Sequence, residues 1–369
     1  MVFPILTAAL VSLAAIAAYL RYHPQFGGRL SRALKQRYAR SPQWQGGQFA
    51  NQLETSVDIS PLTFPGFVRD NLRSAKGGRP ARPIPLPPFD ANAWAASDAP
   101  FQFVWFGHAA CLMRIGGQNV LIDPMLGPDA SPVGPIRTRR FSEGALELLP
   151  HLPEIDAVLL SHDHYDHLDY DSIMGLAGKV RRYYVALGLG RHLDRWGIPP
   201  SQVTELDWWD SARLGSLSVT FTPSRHFSGR GLRDRNACLW GGFALLSPAY
   251  RVYWTGDGGY GPHFKEVGEQ LGPFDWAFTE CGQYYRLWEQ IHQLPEEAAQ
   301  SVLDSGARIG TPVHWGAFKL APHSWQEPAE RFLSAAAAMP FSVALPEPGR
   351  IYQAGQPLPA ARWWGPYSA

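Results

Sequence analysis

Cysteine is scarce in this chain: Cys111, Cys238 and Cys281 are the only three in 369 residues. They cannot all pair, and none stands in a CxxC arrangement, which excludes a disulfide scaffold and a cysteine zinc ribbon. We read them as free thiols, with Cys281 a small buried hydrophobe. Net charge is nearly absent too, with 33 basic against 32 acidic residues and a formal balance of +1. Such a chain has no global field to attract nucleic acid, and no nucleic-acid partner is expected. No internal repeat or low-complexity tract is present, which excludes a solenoid. Charge is also missing locally, since nothing ionisable in side chain precedes Tyr19 and no acid precedes Glu54.

That uncharged opening is followed by Arg21, Arg29, Arg32, Lys35, Arg37 and Arg40. At about 1.5 Å per residue, a helix of twenty residues just spans the hydrocarbon layer. Residues 1–22 are therefore expected to form an apolar membrane-anchor helix. The basic collar lies after the run, which by the positive-inside tendency keeps the remainder in the cytoplasm; a cleaved secretory signal or a buried hairpin of helices is the competing reading. Residues 23–99 read as a basic, Pro-rich connector, closing on Pro80, Pro83, Pro85, Pro87 and Pro88, a spacing no helix tolerates. Residues 100–369 are expected to be the catalytic domain.

Hydrophobic residues make up 45% of the chain, enough to fill one large α/β core. Strands are predicted at Phe101–Phe106, Cys111–Ile115, Val120–Ile122, Ile155–Leu160, Val180–Val185, Leu217–Phe221, Gly242–Leu246, Arg251–Trp254 and Trp276–Phe278. Helical spacing runs from Pro295 to Ala307. Strands interleaved with helices indicate layered α/β architecture.

The chemistry centres on Ser161-His162-Asp163-His164-Tyr165-Asp166-His167, directly after the apolar run Ile155–Leu160. Imidazole and carboxylate hold catalytic Zn²⁺ while leaving a position open for water. His162, His164, Asp166 and His167 crowd too closely for one ion: two imidazoles can face one metal and the Asp-His pair a second. Later segments supply completing ligands, with His226 after Val219-Thr220-Phe221, Asp257 in Thr255-Gly256-Asp257 and His314 in Pro312-Val313-His314-Trp315-Gly316.

These residues resemble the metallo-β-lactamase superfamily, whose HxHxDH motif His162 to His167 matches in full. Across roughly residues 100 to 335 the likeness is closer to the N-acyl-phosphatidylethanolamine-hydrolysing phospholipase D branch. It is carried by Trp105-Phe106-Gly107-His108-Ala109, Ile122-Asp123-Pro124, His164-Tyr165-Asp166-His167-Leu168-Asp169-Tyr170, Glu205-Leu206-Asp207-Trp208-Trp209, Phe221-Thr222-Pro223-Ser224 and His314-Trp315-Gly316. The resemblance implies an αβ/βα sandwich with an N-terminal apolar helix. It implies one zinc on His162, His164 and His226, a second on Asp166, His167 and His314, and Asp257 bridging them; other divalent transition metals suit the same ligands. Two segments depart from the animal phospholipases, Glu280-Cys281-Gly282-Gln283-Tyr284-Tyr285 and Gly258, and both are expected beside the substrate rather than the metals.

By the same resemblance the substrate is N-acyl-phosphatidylethanolamine or a related phospholipid, cleaved to phosphatidic acid by water activated between two ions. Asp166, Asp257 and His292 are placed at the reaction, and His292 aligns with a family histidine near the scissile phosphate. Asp123 reads as an orienter of a metal-bound imidazole or a turn cap, His108 as loop packing or a residue behind a ligand, and His263 and His323 as surface residues. Trp208, Trp209, Tyr284, Tyr285 and Trp288 are candidates for the wall of an acyl groove. Partners are then the phospholipid and a membrane surface, with a homodimer left open. A lactonase or water-soluble phosphodiesterase would keep every ligand; a non-catalytic membrane scaffold would have lost some.

Overall fold

The computed structural model describes residues 2–74, 76–131 and 137–368, so Met1 and Ala369 at the ends of the expected anchor and catalytic segments lie outside it. After helices α1 (Val2–Tyr22) and α2 (Arg32–Tyr38), the hairpin β1 (Trp44–Gln45) and β2 (Gln48–Phe49), and helices α3 (Phe64–Arg73) and α4 (Ala91–Ala96), two sheets follow. The first contains β3 (Phe101–Trp105), β4 (Cys111–Ile115), β5 (Gln118–Ile122), β6 (Ile155–Leu160), β7 (Val180–Ala186) and β8 (Val203–Leu206). The second contains β9 (Ser211–Leu214), β10 (Leu217–Thr222), β11 (Gly242–Leu246), β12 (Arg251–Trp254), β13 (Trp276–Glu280), β14 (Ile309–Val313) and β15 (Ser342–Val343). The chain then returns as β16 (Ile351–Gln353), antiparallel to β3 at the edge of the first sheet.

Each sheet starts as an antiparallel meander, β3-β4-β5 and β9-β10-β11-β12, and continues as parallel strands, β6-β7-β8 and β13-β14-β15. Parallel strands need crossovers, and the helices that supply them lie outside the sandwich. The continuous apolar pattern of β6 and β13 follows from burial on both faces. Between the sheets, Phe101 and Phe103 of β3 meet Trp276 and Phe278 of β13 with centroids 5.0–6.3 Å apart. Behind the second sheet, Ala298, Ala299 and Val302 of α8 (Pro295–Asp304) and Phe332 of α9 (Glu327–Ala336) form a second apolar cluster with Tyr253 and Ala277.

Residues 23–99 are not a free connector. Tyr38, Phe49, Ile84, Phe89 and Trp94 are buried in the main core, because large apolar side chains gain most by covering the sandwich. Gly27 and Gly28 let this segment approach α6 (Gly190–Arg195): a Cβ on either would come within 1.9 Å of His192 Nδ1 or the Arg191 carbonyl. Helix α1 forms where expected, with Leu10, Val11, Leu13 and Ile16 exposed. Among the described residues, however, no helix is long and apolar enough to cross a membrane.

Two further readings change. His263 and His323 are buried rather than on the surface. His323 uses both nitrogens, Nε2 accepting from Gln283 N at 3.0 Å and Nδ1 donating to Ser324 O at 2.8 Å. His263 stays neutral, since burial and then Arg225 hold its pKa down at about 3.

Tyr38 tests the role of the N-terminal segment. Tyr38→Ala is expected to lower the unfolding free energy by about 3 kcal/mol, read as a shifted urea midpoint at unchanged slope. A midpoint equal to wild type would show residues 23–99 to be dispensable packing.

Candidate metal centre

The site lies where strands of both sheets end. The backbone leaves β6 at Ser161, passes through His162 to His167, and enters α5 (Tyr170–Leu176) at Asp169, whose carboxylate caps the helix by accepting from Ser172 N at 2.9 Å. The motif is thus a tight loop pinned at both ends. Loops after β10, β12 and β14 bring in His226, Asp257 and His314. His108, Asp123 and His314 adopt φ of +56°, +38° and +66°, a left-handed conformation that side chains rarely hold and that clusters here around one centre.

All seven residues singled out as ligands come together. The ligand atoms of His162, His164 and His226 lie within 4.8 Å of one another, as do those of His108, Asp166, His167 and His314. Asp257 joins the two groups: it forms a third such set with His162 and His167, and its Oδ2 is 3.0 Å from His167 Nε2 and 2.9 Å from His314 Nε2. His164 Nδ1 faces both His162 Nε2 at 2.9 Å and His226 Nε2 at 3.2 Å. Three imidazole nitrogens converging on one point is the arrangement a cation satisfies, and the donor set fits a transition-metal site.

The outer nitrogens explain how the rings are held. His162 Nδ1 donates to Ser161 Oγ at 2.9 Å, and that hydroxyl donates to Asp123 Oδ2 at 2.6 Å. His167 Nδ1 donates to the same Asp123 oxygen at 3.0 Å, and His226 Nδ1 to the Ile291 carbonyl at 2.9 Å. Holding Nδ1 in this way turns Nε2 inward in each ring. His108 Nε2 lies 2.8 Å from Asp166 Oδ2 and holds that carboxylate. Of the two readings left open for each, Asp123 takes that of an orienter of a ligand imidazole and His108 that of a residue behind a ligand.

The two groups differ electrostatically. Burial, followed by the surrounding imidazoles, pushes His162 and His226 well below the ordinary histidine value; burial also takes His164 down to about 4, against the opposing pull of Asp166 and Asp163. Burial alone would lower His167 too, but Asp257, Asp166 and Asp123 outweigh it and raise the group to about 10. His314 is raised for the same reason, chiefly by Asp257. Asp257 is held well below the carboxylate range: burial opposes this, and His167 and His314 overcome it.

Of the aromatic candidates, Trp208 is core, its Nε1 donating to the Trp240 carbonyl at 2.6 Å, and Trp209 packs against that core. Tyr284 stacks on His323 at 4.5 Å, away from the rings of the motif. Tyr285 and Trp288 do belong near the centre, in a cluster with Ile291 and Phe227, and Phe227 lies 4.4 Å from His164.

Sequence reasoning missed several supports. Asp163, inside the motif, accepts from Arg191 Nη2 and His192 Nε2 at 3.2 Å and from Gly229 N at 2.8 Å. Arg230 donates through Nη1 to the carbonyls of Asp163 and Leu168 at 2.8 Å and through Nε to Gln25 O at 2.8 Å. Glu280, placed beside the substrate, instead touches the centre: its Oε1 is 3.3 Å from His314 Nδ1. No spacing signal marks these residues, because their partners are distant in sequence.

Asp123→Asn should weaken metal binding about 10- to 100-fold in competition with a colorimetric chelator, because one oxygen would face two donors without its charge. Unchanged affinity would remove Asp123 from the support of His162 and His167.

Residues 118–315 match the family model described as a beta-lactamase superfamily domain. An uncharacterized protein of Mycobacterium tuberculosis is 39% identical over 336 residues, covering 88% of this chain and 87% of that protein. N-acyl-phosphatidylethanolamine-hydrolyzing phospholipase D 1 of Caenorhabditis elegans is 34% identical over 228 residues, 58% of this chain and 64% of that one. A solved metallo hydrolase from Ignicoccus hospitalis superposes with a TM-score of 0.53 at 20% identity, covering 68% of this chain and 97% of the other, and supports the fold alone. With strands, helices and ligand-bearing loops in the αβ/βα order, the chain belongs to the metallo-β-lactamase superfamily.

Proposed function

We propose that this metal-dependent hydrolase is a phosphodiesterase of the phospholipase D type, cleaving N-acyl-phosphatidylethanolamine or a related phospholipid on the head-group side of phosphorus to release phosphatidic acid. The observation that carries the reading is Asp257 set between two ligand groups, His162, His164 and His226 on one side and Asp166, His167 and His314 on the other. Two divalent transition ions, zinc by the chemistry of these donors, would supply a water of lowered pKa and charge stabilisation for the phosphoryl oxygens. Support for the lipid class comes from the 34% identity to the worm phospholipase.

The protein's own residues divide the remaining work. His292, the residue after Ile291, has a ligand-capable nitrogen grouped with His226 and Asp257. Its side chain is 13% exposed, so it meets both the centre and an entering ester and can hold or pass a proton at phosphate. Phe227, Tyr285 and Trp288 form the apolar flank, which limits water and suits acyl chains. Incubation with vesicles of N-acyl-phosphatidylethanolamine and phosphatidylcholine should yield phosphatidic acid by mass spectrometry. His292→Ala should lower kcat about 100-fold with metal content unchanged. Release of free fatty acid or an opened lactone, with no phosphatidic acid from any lipid, would assign the centre to another hydrolase class.

Membrane association is part of the same proposal. Leu10, Val11, Leu13, Ile16 and Tyr22 of α1 are exposed, and the arginines from Arg21 to Arg40 follow them. An apolar surface beside a basic collar suits the interface of an anionic bilayer. In flotation with phosphatidylglycerol-containing vesicles, the full chain should float and a chain lacking residues 1–18 should not. Equal flotation of both would take α1 out of the interaction.

A further inference from the structure

Glu280 ends β13 as a buried carboxylate, 1% exposed. A carboxylate in such a place is costly unless its oxygens are fully hydrogen-bonded, and here the bonding partners are informative. Oε1 lies 3.1 Å from His292 Nδ1 and 3.3 Å from His314 Nδ1, and Oε2 accepts from Gln293 N at 2.9 Å. The same oxygen thus faces a ring of the metal centre and the ring that reaches toward the substrate. The two imidazoles lie nearly parallel, with centroids 5.3 Å apart and planes at 14°. The turn is built to allow this: a Cβ at Gly282 would sit 1.9 Å from the His314 carbonyl, so only glycine lets the backbone after Glu280 pass the ligand loop.

From this we infer that Glu280 is a positioning residue, which sets the tautomer and orientation of His314 and His292 together through one oxygen. The inference rests on the metal-centre reading above and adds to it. Glu280 Oε1 accepts from His292 Nδ1 and lies beside His314 Nδ1, which also reaches the Gly282 carbonyl at 3.4 Å, so the His314 ring turns Nε2 toward Asp166 and Asp257 while His292 stands grouped with His226 and Asp257. An amide at position 280 keeps the shape but removes the charge that makes one oxygen a good acceptor for two donors. An apolar residue would leave His292 Nδ1 without this acceptor and His314 Nδ1 with the longer contact to the Gly282 carbonyl alone.

The experiment is cobalt(II) titration followed by visible absorption, which reports ligand geometry and affinity without substrate. Glu280→Gln should bind cobalt at least about 10-fold more weakly and show a shifted band envelope. His292→Ala should keep both properties, since His292 is held by Glu280 but does not hold the metal. A wild-type band and affinity in Glu280→Gln would overturn the inference, even if the variant unfolds at lower temperature, because that is what a purely structural carboxylate would give. If the glutamine variant does not fold, Glu280→Asp decides: its shorter side chain should shift the same band, and an unaltered spectrum counts against the proposal. With N-acyl-phosphatidylethanolamine, Glu280→Gln should lower kcat more than it raises KM. Because the cobalt readout needs no ester, it decides on Glu280 even where the phospholipase reading fails.

Discussion

The centre depends on hydrogen bonds made on the side facing away from it. Imidazole can offer only one nitrogen inward, and which one is set by what the other donates to. Ser161 and Asp123 fix His162 and His167, the Ile291 carbonyl fixes His226, and Glu280 faces His314. With these in place the inward nitrogens converge to within hydrogen-bonding distance of one another, an arrangement that repels itself unless a cation is shared among them. Their supports come from three loops and the end of β13, so the sandwich is needed less as a container than as the frame that keeps those segments in register.

The motif loop is also tied to parts of the chain that precede the sandwich. Arg230 spans the loop carbonyls and Gln25, while Arg191 bonds both Asp163 and Gly28. Trp196 Nε1 donates to the Pro24 carbonyl at 2.9 Å. A segment that directly follows α1 is therefore joined by side chains to the residues that position the first imidazoles. Burial of these guanidinium groups is tolerated because backbone carbonyls and Asp163 satisfy them.

Much of this was legible in one dimension. The ligand types and their crowding between His162 and His167, and a lone His or Asp after each later apolar run, indicated a metal centre. The period-two and continuous apolar stretches located β3 to β7 and β10 to β13 nearly to the residue, because strands buried on both faces leave an unmixed apolar signal. Short edge strands such as β8, β9, β15 and β16 escaped, since half-exposed strands of two to four residues carry too little pattern.

What the sequence determined by itself was therefore composition: which chemical groups are present, that they suit transition metals, and that layered α/β packing would carry them. Tertiary structure alone decided the relations among them. That Glu280 faces His314 and His292, that His263 and His323 are buried, and that Tyr38 and Trp94 belong to the core all follow from contacts between residues far apart in the chain. Local pattern reports the period of burial along one element, whereas a hydrogen bond between the ends of two strands is set by how the sheets stack, and that geometry exists only once the whole core has closed.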